Sequence, residues 1–248
     1  MALPKVNDWS AFRNALKLLA ETFPDRFDEW VLIGGGACWF YRTMLERWAD
    51  PDFPPPQFSP AEESEWLSKD IDFMGETEEE AEKLLAAPIK VESHTISYRG
   101  LEVDFLQEGV RLLTKDAIRS AREVRTPDLT FRVLDAALLY TEKLAVFRLK
   151  PRPQDRLHLR VLEAFLKCEF CRELEVPETL DAVDWVDRVR EVKTADHDFF
   201  VRDARLQARL RNALPKLTAR EHARVHHWAK HHLPGSSEGE AEDRKPAI

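Results

Sequence analysis

Two short stretches of this chain place carboxylates where they could share work. Asp70-Ile71-Asp72-Phe73 alternates acid and apolar residues, and Leu101-Glu102-Val103-Asp104-Phe105 repeats the arrangement. On a β-strand, alternate side chains leave the same face, roughly 6.6–7 Å apart at the α-carbon. Asp70 and Asp72 then point one way while Ile71 and Phe73 pack the other way. Leu101, Val103 and Phe105 can likewise face a core, with Glu102 and Asp104 on the opposite side. If the two strands are neighbours, three or four carboxylates converge. Two such charges about 6 Å apart repel by roughly 3 kcal/mol at an effective dielectric of 20. Hard, oxygen-bound divalent cations relieve that repulsion, and magnesium is the usual one beside phosphates. Acid-x-acid triplets are common in acidic chains, so the pair gains meaning only from its surroundings.

The elements that must position these acids can be traced along the sequence. Asp8 to about Thr22 carries an apolar stripe of Phe12, Ala15, Leu16, Leu18 and Leu19 at helical spacing. Trp30-Val31-Leu32-Ile33 reads as a buried strand stopped by Gly34-Gly35-Gly36, and Ala37 to Trp48 as the following helix. Glycines there permit close backbone approach to a ligand, and amides at a helix N-terminus can hold phosphate oxygens. The run lacks the Gly-Lys-Ser/Thr of a Walker loop and the spacing of a dinucleotide fingerprint, and by itself it is a plain strand-to-helix turn. Asp50 to Ser64 holds five prolines and reads as a loop or insertion.

Lys69 to Met74 reads as the acid-bearing strand. Thr77 with Glu80 forms a capping box for a helix to Ala86. Val91–Tyr98 and Leu101–Gln107 read as strands joined at Arg99-Gly100, and Thr114–Ala121 as a short helix. After Pro127 the pattern becomes largely helical, with helices expected near 133–149, 154–168, 178–192, 197–212 and 218–232. The fold class expected is α/β: a mixed β-sheet flanked by helices over residues 1–126, a helical domain over 127–233, and a disordered tail over 234–248.

Composition sets outer bounds. The chain has 248 residues, 33% of them charged, and a net charge of −8, which argues against a surface coated in nucleic acid but allows a local basic groove. Arg148, Lys150, Arg152, Arg156 and Arg160 form one basic cluster and Phe199–His232 another, suited either to an RNA backbone or simply to exposed helix faces. No apolar run reaches the ~18 residues of a membrane span. Met1 to Asp8 shows no secretory pattern, and three cysteines do not make a disulfide framework, so a cytoplasmic protein is expected. Cys168-Glu169-Phe170-Cys171 is a lone pair where structural zinc needs four ligands. The histidines from His222 to His232 lack the zinc-protease order and read as a solvated face.

Taken together, the glycine turn, the acid-x-acid strand and the third acid resemble the nucleotidyltransferases of the DNA polymerase beta superfamily. The pattern is carried by Ile33-Gly34-Gly35-Gly36-Ala37, Ser68-Lys69-Asp70-Ile71-Asp72-Phe73 and Glu102-Val103-Asp104-Phe105. It looks most like the bacterial AbiEii-like branch, which includes toxins of toxin–antitoxin systems. Lys143-Leu144-Ala145, then Arg148, Arg152 and Asp155, is similar to that branch's helical Lys and Arg-rich element.

The resemblance implies a magnesium-dependent transferase moving a nucleoside monophosphate from a nucleoside triphosphate to an acceptor hydroxyl. The acceptor could be an RNA 3′ end, a protein side chain or a small molecule, with RNA or tRNA the first choice, and an antitoxin protein a candidate partner. It implies metal binding by Asp70 and Asp72, with Asp104 as third ligand or base. Gly35, Gly36, Ser68 and Lys69 would lie at the nucleotide, Lys143 would contact the triphosphate, and Asp155 would orient it or help the metal site. The chain departs from that pattern in its long proline-rich spacer, in Trp66 where many relatives carry Arg, and in His158 where a second Asp is frequent. Those departures motivate an alternative: a catalytically inactive relative that binds nucleotide or a partner protein.

Overall fold

The computed structural model describes residues 9–66, 70–87, 89–90, 95–106, 114, 118–175, 203–218 and 223–232. Ser68, Lys69, the helix expected at 178–192 and the tail expected at 234–248 lie outside them, as do parts of the 91–98 strand and the 114–121 helix. The chain separates into two compact units, Met1–Phe165 and Leu166–Ile248.

The first unit is built on a seven-stranded mixed sheet in the order β3-β4-β5-β2-β1-β7-β6. Its strands are β1 (Val31–Leu32), β2 (Asp70–Met74), β3 (Ile89–Lys90), β4 (Thr95–Tyr98), β5 (Leu101–Phe105), β6 (Arg122–Thr126) and β7 (Leu129–Val133). β2 pairs with β5 in parallel, and β1 pairs with β2 antiparallel and with β7 in parallel. The β4–β5 hairpin turns at Arg99-Gly100, where both residues take positive φ, 49° and 88°. That is the geometry expected of a tight two-residue turn.

The alternation read from the sequence sorts the faces of the central strands. Ile71, Phe73, Val103 and Phe105 are all buried. Phe73 and Phe105 are partners in register and their rings stack at 5.9 Å. Trp30 closes on both, its ring centroid 5.3 Å from Phe73 and 5.0 Å from Phe105. The Trp30 indole N–H donates to the buried Glu76 carboxylate at 2.9 Å, and Arg26 donates to the same group at 2.7 Å. This aromatic layer fixes the register that aims the acids at the other face.

Helix α1 (Trp9–Thr22) buries Phe12, Ala15, Leu16 and Leu19 of the stripe read from the sequence, while Leu18 is only half-buried. α2 (Pro24–Phe27) is a single turn. α3 (Gly34–Trp48) starts inside the glycine run rather than after it: Ile33 is its extended cap, and the chain turns into the helix through Gly34 at φ 62°, a left-handed conformation that favours glycine. Gly36 has a packing reason: a β-carbon there would stand 2.4 Å from Phe12 Cζ. α1 and α3 approach that closely only over a residue without a side chain.

The proline-rich segment is not wholly loop; it ends in α4 (Pro60–Trp66). α5 (Glu78–Leu85) carries the capping box between Thr77 and Glu80. α6 (Ala136–Leu149) is capped by the Asp135 side chain, which accepts the Ala137 amide at 2.9 Å. α7 (Pro153–Glu175) runs from the first unit into the second.

The two compact units divide at Phe165 and Leu166, where the sequence places a boundary at residue 126. Arg122–Val133 forms the β6–β7 hairpin of the sheet, whereas the sequence pattern turns helical after Pro127. β6 is an edge strand, Arg-Glu-Val-Arg-Thr, half-exposed throughout, so it has no apolar stripe to announce it. In the second unit, α8 (Ala204–Ala213) is capped by Asp203, and α9 (Ala223–His232) follows a short 3-10 turn. Lys167 and the capped amides hold the Asp203 carboxyl down at about 2 despite its burial. Cys38, Cys168 and Cys171 are buried free thiols. No described helix is long and apolar enough to cross a membrane.

Because Gly36 is filled from outside by Phe12, Gly36→Ala should destabilise the chain by about 1–3 kcal/mol through overpacking. Chemical denaturation checks this, and Phe12→Leu in the Gly36→Ala background should recover part of the loss.

Candidate active site

The acids come together because β2 and β5 run side by side in parallel, strands about 4.8 Å apart. Asp72 is aligned with Asp104, and Asp70 with Glu102. The Ile33 amide donates to the Asp72 carbonyl at 2.9 Å and the Leu106 amide to the Phe73 carbonyl at 2.8 Å. The backbone on either side of Asp72 is thus fixed from both neighbouring strands.

The glycine turn lies directly against this pair. A β-carbon on Gly34 would stand 1.8 Å from Asp72 Oδ2, and φ at Gly34 is already in the left-handed region. The Gly35 amide donates to the Asp72 carboxylate from the first turn of α3. A carboxylate at a helix N-terminus is stabilised by the free amides and the helix dipole. Burial outweighs that help: with Asp70 and Asp104 adding like charge, and Lys143 only partly offsetting them, the Asp72 carboxyl is pushed up to about 7. The buried Cys38 thiol, one turn into α3, is pushed up to about 12 by burial and is not a nucleophile at neutral pH.

These groups open into a cavity of about 280 Å³. Its floor is Gly34, Gly35, Asp70, Asp72 and Asp104; Leu139, Glu142, Lys143 and Val146 present one face of α6; Arg152 and Gln154 close it from the start of α7. Lys143, 7% exposed, donates to Asp155 Oδ1 at 3.2 Å. Arg152 forks onto the same carboxylate, Nε to Oδ2 at 2.6 Å and Nη2 to Oδ1 at 3.1 Å. Asp155 is fully buried and is not itself among the lining residues; it holds the two cations that are.

Of the residues singled out in the sequence, Gly35, Asp70, Asp72, Asp104 and Lys143 meet in this cavity, with Asp155 one step behind Lys143. Gly36 faces Phe12 and Leu32 instead. Glu142 and Gln154 were not legible as site residues, and Gly34 was read only as part of the turn. Only the position of α6 over the sheet brings Glu142 to the cavity, beside Lys143 and one turn from both Leu139 and Val146. Trp66 and His158, two of the three departures from the resemblance, touch each other: their rings meet edge-on at 4.6 Å.

Chemically, the wall offers four carboxylates against two cations, so a bare polyphosphate would meet net repulsion. All four acidic donors are oxygens, the donor type of hard divalent cations. The Asp72 carboxyl is raised first by burial and then by the charges of Asp70 and Asp104, which a bound cation would offset; in donor type and register these residues suit magnesium. Among the described residues, no group of three or more His, Cys, Asp and Glu side chains stands ready-gathered as a metal cluster. Strand pairing sets the acids' backbone positions, and the side chains would have to turn toward a shared ion. No family model matches the chain, and no curated protein matches it.

The pH consequence has a definite sign. With a folded-state value near 7 against about 3.9 in the unfolded chain, the proton on Asp72 stabilises the fold below pH 4. That contribution is lost as pH rises through 7. Without divalent cations, Asp72→Asn should therefore match the wild type at pH 4 and exceed it at pH 8 by on the order of 2 kcal/mol. Urea titrations at the two pH values check this, and equal stabilities at pH 8 would remove the strained carboxylate from the account.

Proposed function

We propose that the cavity is the active site of a magnesium-dependent nucleotidyltransferase, transferring a nucleoside monophosphate from a nucleoside triphosphate to an acceptor hydroxyl. The observation that carries this reading is the alignment of Asp72 with Asp104 on parallel β2 and β5, against the Gly34-Gly35 turn. Together with Asp70, these are the carboxylates that would hold the cation. Bound there, magnesium would neutralise phosphate charge and help the pyrophosphate leave.

The chain's own residues supply position and charge. Gly34 and Gly35 let a phosphate approach the backbone at the start of α3 without a side chain in the way. Lys143 and Arg152, braced by Asp155, offer donors to the outer phosphates. Asp104 is placed to accept the proton of the attacking hydroxyl or to complete the metal site. In the reaction the acceptor oxygen bonds to the α-phosphorus, the bond from that phosphorus to the bridging oxygen breaks, and pyrophosphate departs. Catalysis then rests on alignment and charge stabilisation.

For the acceptor, the supporting feature is an exposed basic stretch that includes the cavity-lining Arg152. Arg148, Lys150, Arg152 and Arg156 run from the last turn of α6 to the second turn of α7, beside Leu149 at 82% exposure. Such a surface suits an RNA or tRNA end. A toxin-like role with an antitoxin partner follows from the sequence resemblance alone. The second reading, a catalytically inactive relative that binds nucleotide or protein, draws on one observation: Lys143 and Arg152 are both turned onto Asp155, and a triphosphate would have to share them.

A screen of four labelled triphosphates with magnesium against total RNA and protein separates the two. The wild type should release pyrophosphate and label an acceptor. Asp70→Ala and Asp104→Ala should lower the rate by at least about 100-fold. Lys143→Ala should raise KM for the triphosphate by roughly 10–100-fold. Binding without pyrophosphate release for every acceptor tried would favour the inactive relative.

A further inference from the structure

Behind the two cavity cations sits a buried corner that the proposed reaction does not use. His158 lies one turn after Asp155 on α7 and is 1% exposed. Its Nδ1 stands 3.9 Å from Asp155 Oδ1. Among the described residues neither ring nitrogen makes a hydrogen bond of full geometry, although the Trp66 backbone carbonyl lies near enough to pull on the ring. Burial, with Lys143 and Arg152 nearby, holds the ring's protonation well below the usual histidine range, against a smaller opposing pull from the Trp66 backbone. The imidazole is therefore neutral, and a neutral imidazole carries one N–H to donate. A buried donor left unused costs about 1–3 kcal/mol. Two acceptors stand near the ring, the Trp66 backbone carbonyl and Asp155 Oδ1, and Nδ1 is the nitrogen that stands 3.9 Å from Asp155.

The ring is held from outside by the proline-rich segment. Trp66, fully buried at the end of α4, packs its edge against His158 with an interplanar angle of 85°. α4 is in turn tied down on both sides. Arg42 of α3 forks onto Glu63 at 2.6 and 2.9 Å, and Arg160 of α7 reaches Glu62 at 2.8 Å. Phe58 lies under both guanidinium groups, each 4.9 Å from its ring centroid. The segment from Phe58 to Trp66 is therefore a brace between α3, which begins at the glycine turn, and α7, which carries Asp155.

We infer that His158 is a positioning residue: clamped by Trp66, its Nδ1–H is the fourth donor to Asp155 and sets the carboxylate that aims Lys143 and Arg152 into the cavity. The inference rests on the nucleotidyltransferase reading for the cargo of those cations, but not for the contact itself. A neutral donor at this position fixes Asp155 without adding a third positive charge to the corner. An acid here would have repelled Asp155 and drawn the same cations away from the cavity.

Two measurements test it on the full chain. Nitrogen-15 NMR of the His158 ring reads the tautomer directly. The neutral form protonated at Nδ1 is expected throughout pH 6–8; protonation at Nε2 alone would overturn the proposal whether or not the chain is an enzyme. Calorimetry with tripolyphosphate and magnesium reads the consequence. His158→Ala should weaken binding about tenfold, while His158→Asn, which keeps a short neutral donor, should stay within about threefold of wild type. Trp66→Phe, which keeps an aromatic edge, should do the same. Equal losses in His158→Ala and His158→Asn, with both variants folded, would mean that only ring packing matters and would overturn the positioning role. If the wild type itself binds no tripolyphosphate, the nucleotidyltransferase reading fails, and the tautomer alone decides whether His158 serves Asp155.

Discussion

The parallel pairing of β2 with β5 is the constraint on which the site depends. It puts Asp72 beside Asp104 and Asp70 beside Glu102 on one face of the sheet, and it puts Phe73 beside Phe105 on the other. The aromatic face is favourable wherever it is buried. The acidic face is not: carboxylates about 5–6 Å apart repel by roughly 3 kcal/mol per pair at an effective dielectric of 20. The register that builds the core therefore also builds the strain, and neither can be shifted alone. A slip of one residue would turn the acids into the aromatic layer.

Three devices hold that strain in place. The α3 N-terminus gives the Asp72 carboxylate an amide from Gly35, and Gly34 leaves it room. Lys143 brings a counter-charge from α6. Asp155 keeps Lys143 and Arg152 from collapsing onto the acids by holding both from behind. The result is a cavity with an acidic floor, faced by Glu142 and Lys143 of α6 and by Arg152 before α7.

Much of this was legible in the sequence because it is local or strictly periodic. The acid-x-acid alternation gave the face of β2, and Arg99-Gly100 gave the hairpin turn. Thr77 and Glu80 gave the helix start, since a capping box needs no partner beyond its own turn. What could not be read depends on distant packing. β6 is a charged edge strand whose partner alone makes it a strand, so the β6–β7 hairpin and the true extent of the first unit were missed. Gly36 looked like a ligand seat and is the contact point of α1. Glu142 looked like any helical acid until α6 was set over the sheet. The proline-rich insertion read as a loop because prolines hide the short helix and the two arginines that fasten it.

The claim at the centre is that the acids on β2 and β5 share a divalent ion. Manganese titration followed by electron paramagnetic resonance tests it without any assumption about nucleotide or acceptor. The account predicts saturable manganese binding by the wild type that magnesium displaces, and its loss in both Asp72→Asn and Asp104→Asn while the fold is retained. Undiminished manganese binding by those two folded variants, or none by the wild type at neutral pH, would contradict it.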